Sequence, residues 1–455
     1  MNPREIKTAA QARTFVESLS ATHIKVGVFD IDGILRGKYM SREKLLSSLD
    51  KGFGFCDVIL GWDMKDALYD NSQYTGWHTG YPDATVRLLP EACRSMPTEN
   101  NELFFLGEFS GKAEAICPRG ILRKVLKRAS DMGYQVLSGF EYEFFVFNES
   151  PESIREKNYQ NLSPLSPGEF GYSVIRNSVH ADTYKNILAL CEGMDIPLEG
   201  LHEETGPGVL EAAIRYDSAL NAADKAALFK TFVKIALQQE QKMTTFMARW
   251  NDKLPGQSGH IHLSLLNEAG NPLFHQAGQA HQMSPTMQQF VAGQQRLMPE
   301  FLAMVAPTIN SYRRLVPGFW APTHATVGVD NRTCAIRIIP GDKHSQRLEY
   351  RIAASDANPY IVLAAVIASG LWGIENNIDP ASFVQGNAYT QELAPELALA
   401  QTLGEAATAF KKSTAARDYF GDAFVDHFAA SREWEEREYR KQISQWELDR
   451  YFEII

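Results

Sequence analysis

Phe140-Glu141-Tyr142-Glu143-Phe144 is the stretch on which the reading of this chain turns. It lies within Tyr134–Phe147, a run of aromatic and aliphatic residues that reads as a strand buried on at least one face. Residues two apart on a strand share a face, so Glu141 and Glu143 project together from an apolar element. Adjacent carboxylates there repel each other and resist desolvation, and a divalent metal ion would offset both costs. A half-exposed strand with both acids in water is the competing reading, and the motif alone does not choose between them.

Composition narrows the classes. The chain has 455 residues, 44% hydrophobic and 22% charged, which suits two or three globular domains. A formal charge of −10 argues against a nucleic-acid partner. The first 21 residues are mixed and polar, unlike a signal peptide, and no apolar run reaches the roughly 18 residues of a membrane span. Cys56, Cys93, Cys117, Cys191 and Cys334 are scattered, with no Cys-x-x-Cys pair. They read as reduced core residues of a cytoplasmic protein that binds no membrane.

The organisation follows from hydrophobic patterning. Residues 8–20 read as a helix and 24–31 as a strand. Asp30-Ile31-Asp32-Gly33 then resembles the nucleophile motif of haloacid dehalogenase phosphatases, with Asp30 attacking and Asp32 as acid/base. A hairpin fits better, because 35–39 continues as a second strand where a parallel-sheet phosphatase needs a crossover helix. A small α+β domain thus occupies 1–117. Pro118 opens a larger domain, 118–455. It holds the Glu141/Glu143 strand, further strands at 197–201, 209–214, 260–265, 325–329, 334–338 and 347–352, and long helices at 219–242 and 284–305. Residues 150–170, rich in proline, read as a surface loop.

Other pieces place polar residues in apolar surroundings: His260-Ile261-His262, Glu349-Tyr350-Arg351, and Glu203 and Glu211 on either side of the Gly206-Pro207-Gly208 turn. Each alone fits an exposed strand. Together, five acids and a histidine on or beside strands suit Mg²⁺ or Mn²⁺, and six ligands could hold the two ions that clamp a transferring phosphoryl group. Arg314, Arg332, Arg337, Arg347 and Arg351 add side chains suited to carboxylate and phosphate recognition. No Walker-type phosphate loop is present.

At this point the chain resembles the glutamine synthetase superfamily, over essentially its whole length. The stretches that carry the resemblance are GFEYEFFVF (139–147), HEETGPGVLEAAIRY (202–216), PGQSGHIHLSL (255–265), NSYRRLVPGFWAP (310–322), NRTCAIRI (331–338) and RLEYRIAASDANPY (347–360). They stand in the family's order and at about its spacing, which removes the phosphatase reading. The resemblance implies an α+β fold, with a β-grasp-like N-terminal domain and a catalytic domain built on a curved antiparallel sheet flanked by helices. It also implies a ring of subunits with active sites between neighbours. The charged helical end, 434–455, favours a hexamer over a dodecamer.

Carried over by position, the resemblance implies one metal at Glu143, Glu203 and Glu211 and a second at Glu141, His260 and Glu349. Arg314 and Arg351, with backbone near Gly256, would hold the carboxylate of L-glutamate. Arg332 and Arg337 would hold the transferring phosphoryl group, and His262, Ser264 and Arg347 would line the ATP side. The reaction implied is attack of the γ-carboxylate on ATP, then displacement of phosphate by an amine.

Two departures bear on that amine. Ammonia-using members carry a glutamate, which takes a proton from ammonium, where this chain has Trp320. Their Asp-Gly-Ser-Ser stretch, whose aspartate binds ammonium across the subunit interface, is here FCDVILGWD (55–63), so Asp57 or Asp63 stands in. Tyr172 matches the tyrosine of the ammonium pocket. A larger primary amine is therefore expected, an apolar or aromatic one or a polyamine, giving a γ-glutamylamide as in the γ-glutamylpolyamine synthetase branch. Glutamine synthesis from ammonia and a catalytically silent structural role are the other readings. Retention of every ligand position speaks against silence.

Overall fold

The computed structural model describes residues 3–455, so the first two residues of the 1–117 segment lie outside it. The N-terminal sheet is built from β1 (His23–Phe29), β2 (Leu35–Ser41), β3 (Phe53–Cys56), β4 (Asp83–Leu88), β5 (Arg94–Met96) and β6 (Glu102–Phe109). Its order is β2-β1-β6-β4-β3, with β5 also on β6; β1 and β6 run parallel and the other pairs antiparallel.

The Asp30–Gly33 segment is the turn of the β1–β2 hairpin. Asp30 Oδ1 accepts the amides of Asp32 and Ile34 (3.0 and 2.8 Å), a side-chain turn that uses up the acid. Asp32 pairs at 2.6 Å with the buried Arg432, and Asn358 donates to the Asp30 and Ile31 carbonyls. Acids that could pass for a nucleophile and its partner instead tie the N-terminal sheet to the C-terminal helices.

The second sheet comprises β7 (Tyr134–Phe147), β8 (Leu198–Glu203), β9 (Val209–Ser218), β10 (Met243–Thr245), β11 (Gly259–Asn267), β12 (Val327–Val329), β13 (Ile336–Ile339) and β14 (Arg347–Tyr350). It is a curled sheet ordered β12-β13-β14-β11-β7-β9-β8, with β10 also on β7. Only β12 and β13 among these pairs run parallel.

β7 alternates as its sequence requires. Phe140, Tyr142 and Phe144 turn to the core, where Tyr142 stacks on Phe229 and Phe144 lies 5.1 Å from Phe246. Glu141 and Glu143 face the other way. Behind the aromatic face packs the helix Ala219–Gln239; Pro359–Glu375 packs on that helix and Pro285–Val305 on Pro359–Glu375, all apolar over most of their length. A second core of residues 6–117 fills the other side of the N-terminal sheet.

Local differences from the sequence reading have simple causes. Residues 150–170 are not all loop: Ser150 caps a short helix, Pro151–Glu156, with proline at its first position. β8 runs two residues past 201, which matters for the site below. The five cysteines are free, and all but Cys56 are buried. Among the described residues, no helix is long and apolar enough to cross a membrane.

Candidate active site

Strand register assembles the site. β7 sits between β11 and β9, so Glu141 faces His260 on one side and Glu143 faces Glu211 on the other. β14 adds Glu349 opposite His262, and β13 adds Arg337 opposite Glu349. Residues directly opposite in a sheet share a face, so these side chains line one surface while Phe140, Ile261, Tyr350 and Ala212 line the other.

The contacts follow. His260 Nδ1 lies 3.3 Å from Glu349 and 3.8 Å from Glu141, and His262 Nε2 lies 3.1 Å from Glu141. Glu143 accepts the Ser258 amide at 2.7 Å. Glu141, His262 and Glu349 form one group able to hold a metal ion.

A second group is His202, Glu204 and Glu211. The expected ligands Glu203, Glu143 and His260 are not in these two groups, which hold Glu204, His202 and His262 in their stead. The extended β8 puts His202 and Glu204 on the sheet face shared by Glu211, and the two-residue period sends Glu203 to the opposite, buried side. There Glu203 has one carboxylate oxygen without a partner, and burial raises its pKa. Glu204 is hydrogen-bonded instead to Thr205 and lies 3.3 Å from His202. Gly208 permits the turn that returns the chain to Glu211. Its φ is +71° and a Cβ would lie 2.6 Å from the Val146 carbonyl.

Charge in this bowl is unbalanced. Burial, then the carboxylates of Glu143, Glu141, Glu204 and Glu349, push Glu211 well above the ordinary range. Burial works against the charge of Glu141, but His260 and His262 outweigh it and hold that carboxyl far down. Glu349 is likewise buried, yet His260 and Arg351 take it down to about 2. The buried Nε2 of His260 has no partner. Carboxylate oxygens in excess, with imidazoles among them, are a donor set that fits Mg²⁺ or Mn²⁺.

The arginines ring the acids. Arg314 is buried and donates to the carbonyls of Arg351 and Ile352 (3.0 and 2.9 Å). Gly256 lies against it, since a Cβ there would sit 2.6 Å from Arg314 Cγ. Arg351 donates to Glu349, and Arg337 bridges Glu349 at 3.0 Å and Asp330. Arg332 is exposed, and its charge acts on Tyr172. Arg347 donates to His262 at 3.3 Å. His262, Ser264 and Arg347 line a cleft of ≈ 500 Å³ that continues along Gly139 and Tyr216 to Ser345.

Residues 115–451 match the glutamine synthetase catalytic domain. The chain belongs to the glutamine synthetase family. It is 45% identical to type-1 glutamine synthetase 2 of Dictyostelium discoideum, over 95% of this chain and 84% of that one. It is 35% identical to the glutamate–isopropylamine ligase of a Pseudomonas species, over 100% of both chains. A solved GmaS/ADP complex superposes with a TM-score of 0.84 at 26% identity, covering 97% of this chain and 99% of that one. As a member of this ligase family the chain is an ATP-dependent enzyme that forms C–N bonds, and the family works with divalent metal ions.

Tyr172 stacks on His202, ring centroids 4.4 Å apart, and is largely exposed above Glu204 and Glu211. Trp320 is 59% exposed, at φ +55°, on a loop pinned by the Arg249 guanidinium over Phe319 (4.4 Å). Asp57 is buried just after β3 of the N-terminal sheet, accepting from Thr75 at 2.7 Å. Asp63 accepts two amides of its own turn. Neither acid joins the cluster of its own chain. His202 and Glu204 escaped the sequence reading. The signal was there in the alternation of His202-Glu203-Glu204, had the strand been carried past Leu201.

Proposed function

We propose that this enzyme joins the γ-carboxylate of L-glutamate to a primary amine larger than ammonia, consuming ATP and passing through γ-glutamyl phosphate. The observation that carries the reading is the exposed indole of Trp320, at the position where the family resemblance implies a proton-accepting glutamate in ammonia-using members. Full-length similarity to a protein named glutamate–isopropylamine ligase supports it.

The chain's own residues divide the work. Arg314 and Arg351, beside Gly256, hold and orient the glutamate carboxylate. Arg332 and Arg337 neutralise the transferring phosphoryl group, while His262, Ser264 and Arg347 flank the nucleotide in the cleft. Glu141, Glu349 and His260 would hold one ion and Glu143, Glu204 and Glu211 another. When bound, such Mg²⁺ or Mn²⁺ ions offset charge on the phosphate oxygens. Tyr172 and Trp320 form aromatic walls for the amine substituent and shield the acyl phosphate from water. In this reading domains 1–117 and 118–455 meet across subunits of a ring, and Asp57 acts in a neighbour's site.

The test is phosphate release from ATP with glutamate and Mg²⁺ or Mn²⁺, across ammonia, putrescine, spermidine, ethanolamine, isopropylamine and phenethylamine. Turnover with a bulky amine and little with ammonia is expected. Turnover with ammonia alone would overturn the reading and favour glutamine synthesis, the activity named in the Dictyostelium relative at 45% identity.

A further inference from the structure

A second loop reaches the carboxylate-holding arginines. Val384 donates to the Val327 carbonyl at 2.8 Å, and Asn331 donates to the Gly386 carbonyl at 2.7 Å. The Ala388 amide donates to Thr333 at 3.0 Å, and Asn387 caps the Tyr389 amide at 3.0 Å. These bonds fasten 384–390 to the β12–β13 connection, directly beside Arg332.

The fastening matters for Tyr389. Its ring is partly buried, and its hydroxyl is buried without a hydrogen-bond partner. The loop is bonded to Thr333, and the Arg351 amide donates to the carbonyl of nearby Ala335 at 2.8 Å, so the charges of Arg351 and Arg314 act on that hydroxyl. Arg351 presents a second orphan, its buried Nε, while its Nη1 is taken by Glu349. Both orphans can donate, and neither is bonded to a carboxylate among the described residues. The guanidinium N–H can only donate and the phenol can donate, so one acceptor, such as a carboxylate, satisfies both.

We infer that Tyr389 is a positioning residue for glutamate, its hydroxyl and Arg351 Nε together binding the substrate carboxylate. The inference rests on the proposed use of glutamate, not on which amine is acceptor. A hydroxyl–carboxylate bond placed beside arginines is charge-assisted and short-ranged, so it selects an amino acid of one length and orientation.

The experiment compares wild type with Tyr389→Phe, which keeps the ring and its packing. Equilibrium dialysis with radiolabelled glutamate, with Mg²⁺ and ADP present, measures binding. Steady-state assays give KM for each substrate. Tyr389→Phe should weaken glutamate binding and raise its KM about tenfold or more, with KM for ATP and for the amine unchanged. Asn387→Ala, which frees the loop, should give a smaller change of the same kind. Unaltered glutamate binding in a folded Tyr389→Phe protein overturns the inference even when the wild type makes γ-glutamylamides. Weaker binding in the variant supports it even when no tested amine is turned over.

Discussion

Glu143 on β7 and Glu211 on β9 stand directly opposite each other, on the same face of the sheet. Like charges so placed destabilise a sheet by up to about 1 kcal/mol. A cation bound between them would offset that repulsion. With chelator present, Glu211→Gln should unfold at a higher temperature than wild type. With Mg²⁺ added, the wild type should gain stability and the variant gain less. Activity of the variant should fall by at least about a hundredfold. Calorimetric scans with and without metal decide this, and equal gains in both proteins would remove Glu211 from the ligand set.

The neighbouring pair Glu203 and Glu204 separates two readings of one motif. Glu204→Gln should weaken Mn²⁺ binding about tenfold or more, while Glu203→Gln leaves it intact. Glu203 is buried with one oxygen unpaired, so its amide variant should be as stable as wild type or more so. Mn²⁺ titration by calorimetry or electron paramagnetic resonance distinguishes them.

Trp320 is predicted to set the choice of amine. Trp320→Glu should lower kcat/KM for bulky amines by about tenfold, the loss of roughly 1.4 kcal/mol of contact, and improve the relative rate with ammonia. Competition assays on mixed amines give the ratio directly. An unchanged preference would show that the indole merely packs against a neighbour.

Arg432 couples the two ends of the chain. It is buried, pairs with Asp32 at 2.6 Å and donates to the Pro307 carbonyl at 2.8 Å. Arg432→Ala strands the Asp32 charge and should cost about 3–5 kcal/mol. The double variant Asp32→Leu/Arg432→Met should cost less than the single one. Urea unfolding of the three proteins gives the comparison.

Glu435 supplies a pH signature. Burial, only partly offset by Arg432, pushes its carboxyl up to about 7. A raised carboxyl favours the protonated folded form. Its contribution is thus full below the ordinary carboxylate range and is lost as pH rises to about 7. Glu435→Gln should remove that slope. The difference in melting temperature between variant and wild type should grow in the variant's favour from pH 5 to pH 8.

Much of this was legible in the chain itself, for reasons of period. Alternation in Phe140–Phe144 placed two acids on one face and three aromatic rings on the other, whatever the strand's neighbours. The same rule carried His260 with His262 and Glu349 with Arg351, because each pair is two apart. The Asp-Gly turn after Phe29 announced a hairpin, and the helices declared themselves by long apolar runs and by caps such as Ser284.

Register and approach were another matter. Pairing of Glu143 with Glu211 depends on which residues two distant strands set opposite each other, which no local pattern specifies. That Glu204 and not Glu203 comes beside Glu211 turned on where β8 ends, a matter of two residues decided by its pairing with β9. Arg314 owes its place to carbonyls 37 and 38 residues away, and Tyr389 its place to a loop fastened on Asn331 and Thr333. Backbone period alone settles which residue types face inward from each strand. Which of those faces meet is set by burial, hydrogen bonding and charge acting between segments far apart in the chain, and so emerges with the folded molecule.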